Sequence, residues 1–221
     1  MQERRRKEIF QAGTSSGNAM GVPSQYWEDL EQRDMDGLCA NALVKKNPPN
    51  GILLPFLKKD ILMDIQNRCL CRQKHDQWER IDDSLLELIC LVYLRNVSTE
   101  HLSHELVSVK DLKTGHFFKG PHELKVRPLL DRYGNDMDGF KRSAEHLGGE
   151  LLDMADASYK FLPFPKVPLY YLFWQGDEEF QPHISILFDR SIGHHLAADA
   201  IWGVVNLVSD SLLRGDIRGV H

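Results

Sequence analysis

Cysteine is scarce in this chain, and what there is lacks pattern. Cys39, Cys69, Cys71 and Cys90 form no C-x-x-C pair and no spacing typical of a secreted disulfide framework, so the thiols are expected to stay reduced, as in the cytoplasm. Long apolar runs are also missing: nothing approaches the ~18 residues of a membrane-spanning helix. The opening MQERRRKEIFQ carries a basic cluster followed by only Ile9 and Phe10 as apolar residues, too little for the apolar core of a signal peptide. An excess of positive charge is absent as well. The net charge is −5 with both signs interspersed, which argues against an extended nucleic-acid surface. Finally, no G-x-G-x-x-G, G-x-x-x-x-G-K-[ST], H-E-x-x-H or G-x-S-x-G occurs, which counts against the common nucleotide-binding and hydrolase classes.

What is present suits one soluble domain. With 221 residues, 42% apolar and 27% charged, a folded chain of this length buries roughly 70% of the surface its unfolded form exposes and needs no staples. Residues 1–23, rich in glycine, serine and charge, have too little apolar content to repay ordering and are expected to form a mobile basic tail; residues 24–221 form the domain. Met35, Leu38, Cys39, Ala42 and Leu43 share one face of a helix that starts near Ser24. After the break NPPNG, residues 51–73 alternate about a turn at Lys58-Lys59-Asp60, as a hairpin or short meander does. Asp82, Asp83 and Ser84 can cap a helix through LLELICLVYLRN that is apolar on nearly every side. Asn135 or Asp136 can cap another, ended by Gly148-Gly149. The last third shortens its period: ELLDMADASYKFLPF, PLYYLFWQ and PHISILFD read as strands, followed by a helix from Ala197 to about Arg214. This order predicts an α+β fold, with an antiparallel sheet packed against helices in a single domain.

The candidate chemistry gathers in WQGDEEFQPHISILFDRSIGHHL, residues 174–196. Asp177, Glu178 and Glu179 sit where two strands join. They form either a solvated turn or, if they converge, a cation site or a general acid and base. His194 and His195 precede the last helix, whose N-terminal partial positive charge disfavours imidazolium and leaves the neutral, metal-ligating form. Adjacent side chains point apart, so only one of the pair can serve a given ion while the other caps or packs. His183 joins them only if the strand end folds near the helix start. Cys69 and Cys71, two apart in a strand, share a face, but Cys39 and Cys90 read as buried helix positions and offer no completing pair for zinc or iron. His101 and His104 lack a third ligand. His116, His122 and His146 are isolated. The aromatics Phe161, Phe164, Tyr170, Tyr171, Phe173 and Trp174 read as sheet core, with stacking on a flat cofactor as the alternative.

The stretch LPFPKVPLYYLFWQGDEEFQPHISILFD with the following GHHL, together with LLELICLVYL, RPLLDRYG and AEHLGG, resembles a bacterial and archaeal family of domains of unknown function (DUF3786-like). The likeness runs from about Tyr26 to Leu213, and GDEEF and LFD are its most specific parts. Relatives joined to a cysteine-rich iron-sulfur segment imply anaerobic one-carbon or tetrapyrrole metabolism. This sequence lacks such a segment, so no direct redox role is expected of it. The resemblance thus implies an accessory module that binds a small-molecule cofactor, a corrinoid or another tetrapyrrole such as haem, with a corrinoid or iron-sulfur protein as partner. His194 or His195 would contact the metal, and Trp174, Asp177, Glu178, Glu179 and His183 would line the rim. Two readings stand against it: an enzyme using the Asp177, Glu178 and Glu179 cluster, and a protein-interaction domain marked by an exposed apolar patch. All of the specific site assignments require the acidic bend and the paired imidazoles to meet at one end of the sheet.

Overall fold

The structure is a computed structural model that describes residues 22–49 and 51–217. The basic tail expected over residues 1–23 therefore lies, except for Val22 and Pro23, outside the described residues. Two short helices open the fold, α1 (Gln25–Glu31) and α2 (Met35–Ala42). The one helical stretch read from Ser24 is thus divided, because the Asp34 carboxylate accepts hydrogen bonds from the Asp36 and Gly37 N–H groups at 3.2 and 3.0 Å and starts a new helix. Leu43, expected on its apolar face, instead ends it in the left-handed region at φ 57° and is 61% exposed.

A five-stranded antiparallel meander follows in sequence order: β1 (Lys45–Asn47), β2 (Gly51–Phe56), β3 (Lys59–Asp64), β4 (Cys69–Lys74) and β5 (Gln77–Ile81). The turn falls at Leu57-Lys58, so Lys59 and Asp60 belong to β3. Period-two alternation turns Ile52, Leu54, Phe56, Ile61, Met63 and Leu70 into the core. On the other face Leu53, Leu62, Cys71 and Arg80 stand in one row across four strands.

Helix α3 (Ser84–Asn96) is capped by Asp83, whose carboxylate accepts from the Leu86 N–H at 3.0 Å. It is the buried central helix the sequence predicts, with Leu86 and every residue from Ile89 to Leu94 inside. Its Tyr93 donates to the Ala42 carbonyl at 3.0 Å and stacks on Phe164 at 4.5 Å, and Phe164 meets Phe56 at 5.6 Å. These rings join the meander to the second sheet.

That second sheet is also antiparallel and five-stranded, in the order β6-β10-β9-β8-β7. Its strands are β6 (Leu106–Val107), β7 (Glu150–Leu152), β8 (Ala157–Phe164), β9 (Val167–Trp174) and β10 (His183–Asp189). Before β7 lie single 3-10 turns over residues 109–122, then α4 (Arg127–Tyr133), with Pro128 in its first turn, and α5 (Met137–His146), capped by Asp136. After β10 come the one-turn α6 (Ile192–His195) and α7 (Ala198–Arg214). Helix α7 lies on the inner face of the sheet, where the Tyr171 hydroxyl is 3.0 Å from Ser209 Oγ. The α+β, antiparallel expectation holds, but the meander is a sheet in its own right. Buried side chains of both sheets form one continuous cluster. Among the described residues no helix is long and apolar enough to cross a membrane.

Phe140, fully buried on α5, meets Tyr133, Tyr159 and Phe173 edge-on at 5.4–5.9 Å. Phe140→Ala removes the hub of that cluster and is expected to cost about 3–5 kcal/mol, measured as a lower urea midpoint with an unchanged slope.

Candidate functional site

Strand β10 sets the relative positions of the acidic bend and the paired histidines. His183 begins it, paired with Trp174 at the end of β9, and Asp189 ends it, with the two histidines a few residues beyond. Six steps of an extended chain cover roughly 20 Å. The acidic bend and the paired imidazoles therefore stand at opposite ends of one strand and do not meet. The composite site expected from Trp174, Asp177, Glu178, Glu179, His183, His194 and His195 is thereby corrected into two separate places.

At the first end, the Asp177 carboxylate accepts from the N–H groups of Glu179 and Phe180 at 2.8 and 2.7 Å, folding the bend on itself. Those backbone hydrogen bonds hold the carboxyl below the usual carboxylate range. Glu178 and Glu179 are exposed beside it, and so is Phe180, at 68%. The Asp156 carboxylate accepts from the Gln175 N–H at 2.8 Å, bringing the β7–β8 turn alongside. Asp153 and Asp156 of that turn thus stand at the same end of the sheet as Asp177, Glu178 and Glu179, as do the exposed Phe180 and the half-exposed Met154. Next to them the His183 ring stacks on Trp174 at 5.6 Å, while its Nε2 lies 2.8 Å from Ser185 Oγ. An acid or base built on Asp177, Glu178 or Glu179 would call for a buried carboxyl with a raised pKa. These are exposed, and Asp177 is shifted the other way.

The second end is buried and centred on a carboxylate whose two oxygens are both hydrogen-bonded. Asp189, 1% exposed, accepts from Ser103 N–H and Oγ–H at 2.9 and 2.7 Å, from His104 N–H at 2.7 Å and from Ser191 N–H at 2.9 Å. Burial alone would raise its pKa, but hydrogen bonds from Ser191 and Ser103 prevail and hold it at about 2. The carboxylate thereby fastens the loop after α3 to the end of β10. His195 is wholly buried. Its Nδ1 accepts from the Ser98 N–H at 3.4 Å and lies 3.3 Å from Ser98 Oγ, which assigns the ring proton to Nε2, a buried atom with no hydrogen-bond partner among the described residues. Burial, the Lys166 charge and His194 together push its pKa down to about 4. Lys166, 5% exposed in the β8–β9 turn, donates to the Ser98 carbonyl at 2.8 Å, and burial lowers its pKa.

The buried end contains two residues that the sequence patterns do not mark: Asp189, the aspartate of LFD, and Lys166, the lysine of PFPKVP. The signal was available in principle, since a charge inside an otherwise apolar strand or turn implies a buried partner. His194 is exposed, His195 is sealed, and the pair sits inside α6 rather than at the start of the last helix. Cys69 and Cys71 do share a face, with their sulfurs 3.8 Å apart, and burial with the neighbouring Cys69 pushes the Cys71 thiol up to about 12. Among the described residues no three histidines, cysteines or carboxylates gather as a metal site. An open groove of about 430 Å³ lies elsewhere, between Glu31, Met35, Lys46 and the β1–β2 connection, and none of the expected residues lines it.

Residues 34–211 match the family described as Domain of unknown function (DUF3786), and the chain belongs to that family. No curated protein and no solved structure matches it.

The buried end makes the fold acid-sensitive in a defined window. Because the folded state holds His195 neutral, stability is complete above pH 6.5 and declines as pH falls from 6.5 toward 4, by at most roughly 3 kcal/mol. Urea unfolding across that range should show a slope of about 1.4 kcal/mol per pH unit, the uptake of one proton on unfolding, that His195→Gln flattens. Asp189→Asn places an amide donor against donors already aimed at the carboxylate and is expected to cost about 2–4 kcal/mol, read as a lower midpoint at pH 7.

Proposed function

We propose that the domain is a protein-interaction module, and that its binding surface is the outer face of the second sheet together with the acidic end. The register defines that face. Ser158, Leu172 and Ser185 lie in one row, Lys160, Tyr170 and Leu187 in the next, and Trp174 pairs with His183. On the opposite face Ala157, Tyr159, Phe161, Leu169, Tyr171 and Phe173 are all buried against the core. On the outer face Ser158 and Leu172 are buried as well, so its accessible part is Tyr170, Trp174 and Leu187, which are half-buried, and His183, which is exposed. The observation that carries the reading is Phe180, an exposed ring held by the Asp177 turn amid carboxylates, next to the Trp174–His183 stack. Aromatic anchors surrounded by a charged rim form the usual anatomy of a recognition patch, and this rim is negative. The complementary partner is a protein segment that alternates cationic and apolar side chains. Acidic steering of such a segment weakens with salt.

A second reading, cofactor binding by a corrinoid or haem in an accessory role, draws support from one feature of the same face: Trp174 and His183 offer a flat ring with an accessible imidazole. It no longer involves His195, whose ring is closed off. The outcome of adding cobalamin or haem separates the two. A shifted absorbance band lost in His183→Ala favours the cofactor; unchanged spectra leave the protein partner.

The interaction reading is tested with a synthetic peptide of alternating lysine and leucine, titrated into isotope-labelled protein. Resonances of Tyr170, Trp174 and Phe180 should shift, the effect should weaken several-fold between low and physiological salt, and Phe180→Asp should remove most of it. A peptide with glutamate in place of lysine should leave the spectrum unchanged. Equal response to both peptides, or to neither, overturns the proposal.

A further inference from the structure

The outer face of the first sheet holds a feature that the proposed interaction surface does not use. Cys69 and Cys71 lie on β4, an interior strand hydrogen-bonded to β3 and β5, and both side chains emerge on the same face. Their sulfurs are 3.8 Å apart, and the residues are only 7% and 8% exposed because Leu53 and Leu62 pack against them. Two facts limit what this pair can do. A disulfide needs sulfurs at roughly 2.05 Å, and the ladders on both sides of β4 resist the pucker that would close the gap. A structural zinc needs four ligands. Cys39 and Cys90 are buried elsewhere, and the Asp64 carboxylate opposite Cys69 is occupied by the Asn67 N–H and Nδ2 at 2.9 and 2.7 Å.

One class of ion needs only two sulfurs. We propose that Cys69 and Cys71 chelate a soft monovalent cation of the copper(I) type. A two-coordinate copper(I) bis-thiolate is close to linear, so with metal–sulfur bonds of about 2.3 Å its sulfurs stand roughly 4.5 Å apart; from the present 3.8 Å this needs an opening of about 0.7 Å, within reach of rotation of the two side chains. Thiolate donors select soft ions, and the leucine walls exclude water that would favour a harder one. Binding exchanges two thiol protons for one cation and leaves a singly negative bis-thiolate. Arg80, in register with Cys71 on the same face, supplies the compensating positive charge.

The test uses the full chain, reduced and free of oxygen, against copper(I) held by the chromophoric chelator bicinchoninate. One copper per chain should transfer to the protein. Cys69→Ser and Cys71→Ser should each weaken transfer at least a hundredfold, while Cys39→Ser leaves it intact. Circular dichroism verifies that each variant is folded. X-ray absorption of the loaded parent should show sulfur neighbours without nitrogen. Failure of the parent to compete, copper retained by the Cys69→Ser/Cys71→Ser double variant, or a nitrogen-containing coordination shell each overturns the assignment.

Discussion

The stack of Tyr93 on Phe164, with Phe56 tilted against the same ring, is the contact on which the arrangement of the rest depends. It brings together a residue of the central helix, one of the second sheet and one of the meander. The Tyr93 hydroxyl also reaches the Ala42 carbonyl, so α2 is tied to the same point. Burying a phenol demands a hydrogen-bond acceptor, and that requirement fixes the depth at which α3 lies. With α3 fixed, the loop that leaves it is delivered to the end of β10.

Polarity is divided along β10 by purpose. At one end every polar atom of Asp189 is used inside the molecule, and Lys166 and Ser98 complete the wiring; such groups hold a loop in place and offer nothing to solvent. At the other end Asp177 is spent on its own turn while Glu178, Glu179 and Phe180 face outward. A carboxylate with several internal donors is a structural fastening, whereas one beside an exposed ring on a self-sufficient bend is free to meet another molecule. Both ends lie within residues 34–211, the part of the chain that matches its family. They carry unlike roles.

Much of this architecture could be read in the sequence because its signals were local. Asp83 and Asp136 act as caps where their spacing suggested, Gly148 ends α5 in the left-handed region at φ 81°, and aromatic and β-branched content marked β8, β9 and β10 as strands. What failed was non-local. The joining of sites depended on which end of β10 each group occupied, and a strand's length was enough to separate residues that are near one another in sequence. The burial of Asp189 and Lys166 depended on a loop 86 and 68 residues away in sequence folding back onto them, which no window of pattern reveals. Leu43 was misplaced because periodicity cannot register that a chain has turned left-handed.

The borders of the second sheet are two residues long at β6 and three at β7. Short borders do not close the sheet, however: β6 covers only Phe188 and Asp189 of β10, so residues 183–187 have no strand partner on that side among the described residues. A template for an incoming extended segment therefore runs along that stretch, beside the aromatic surface.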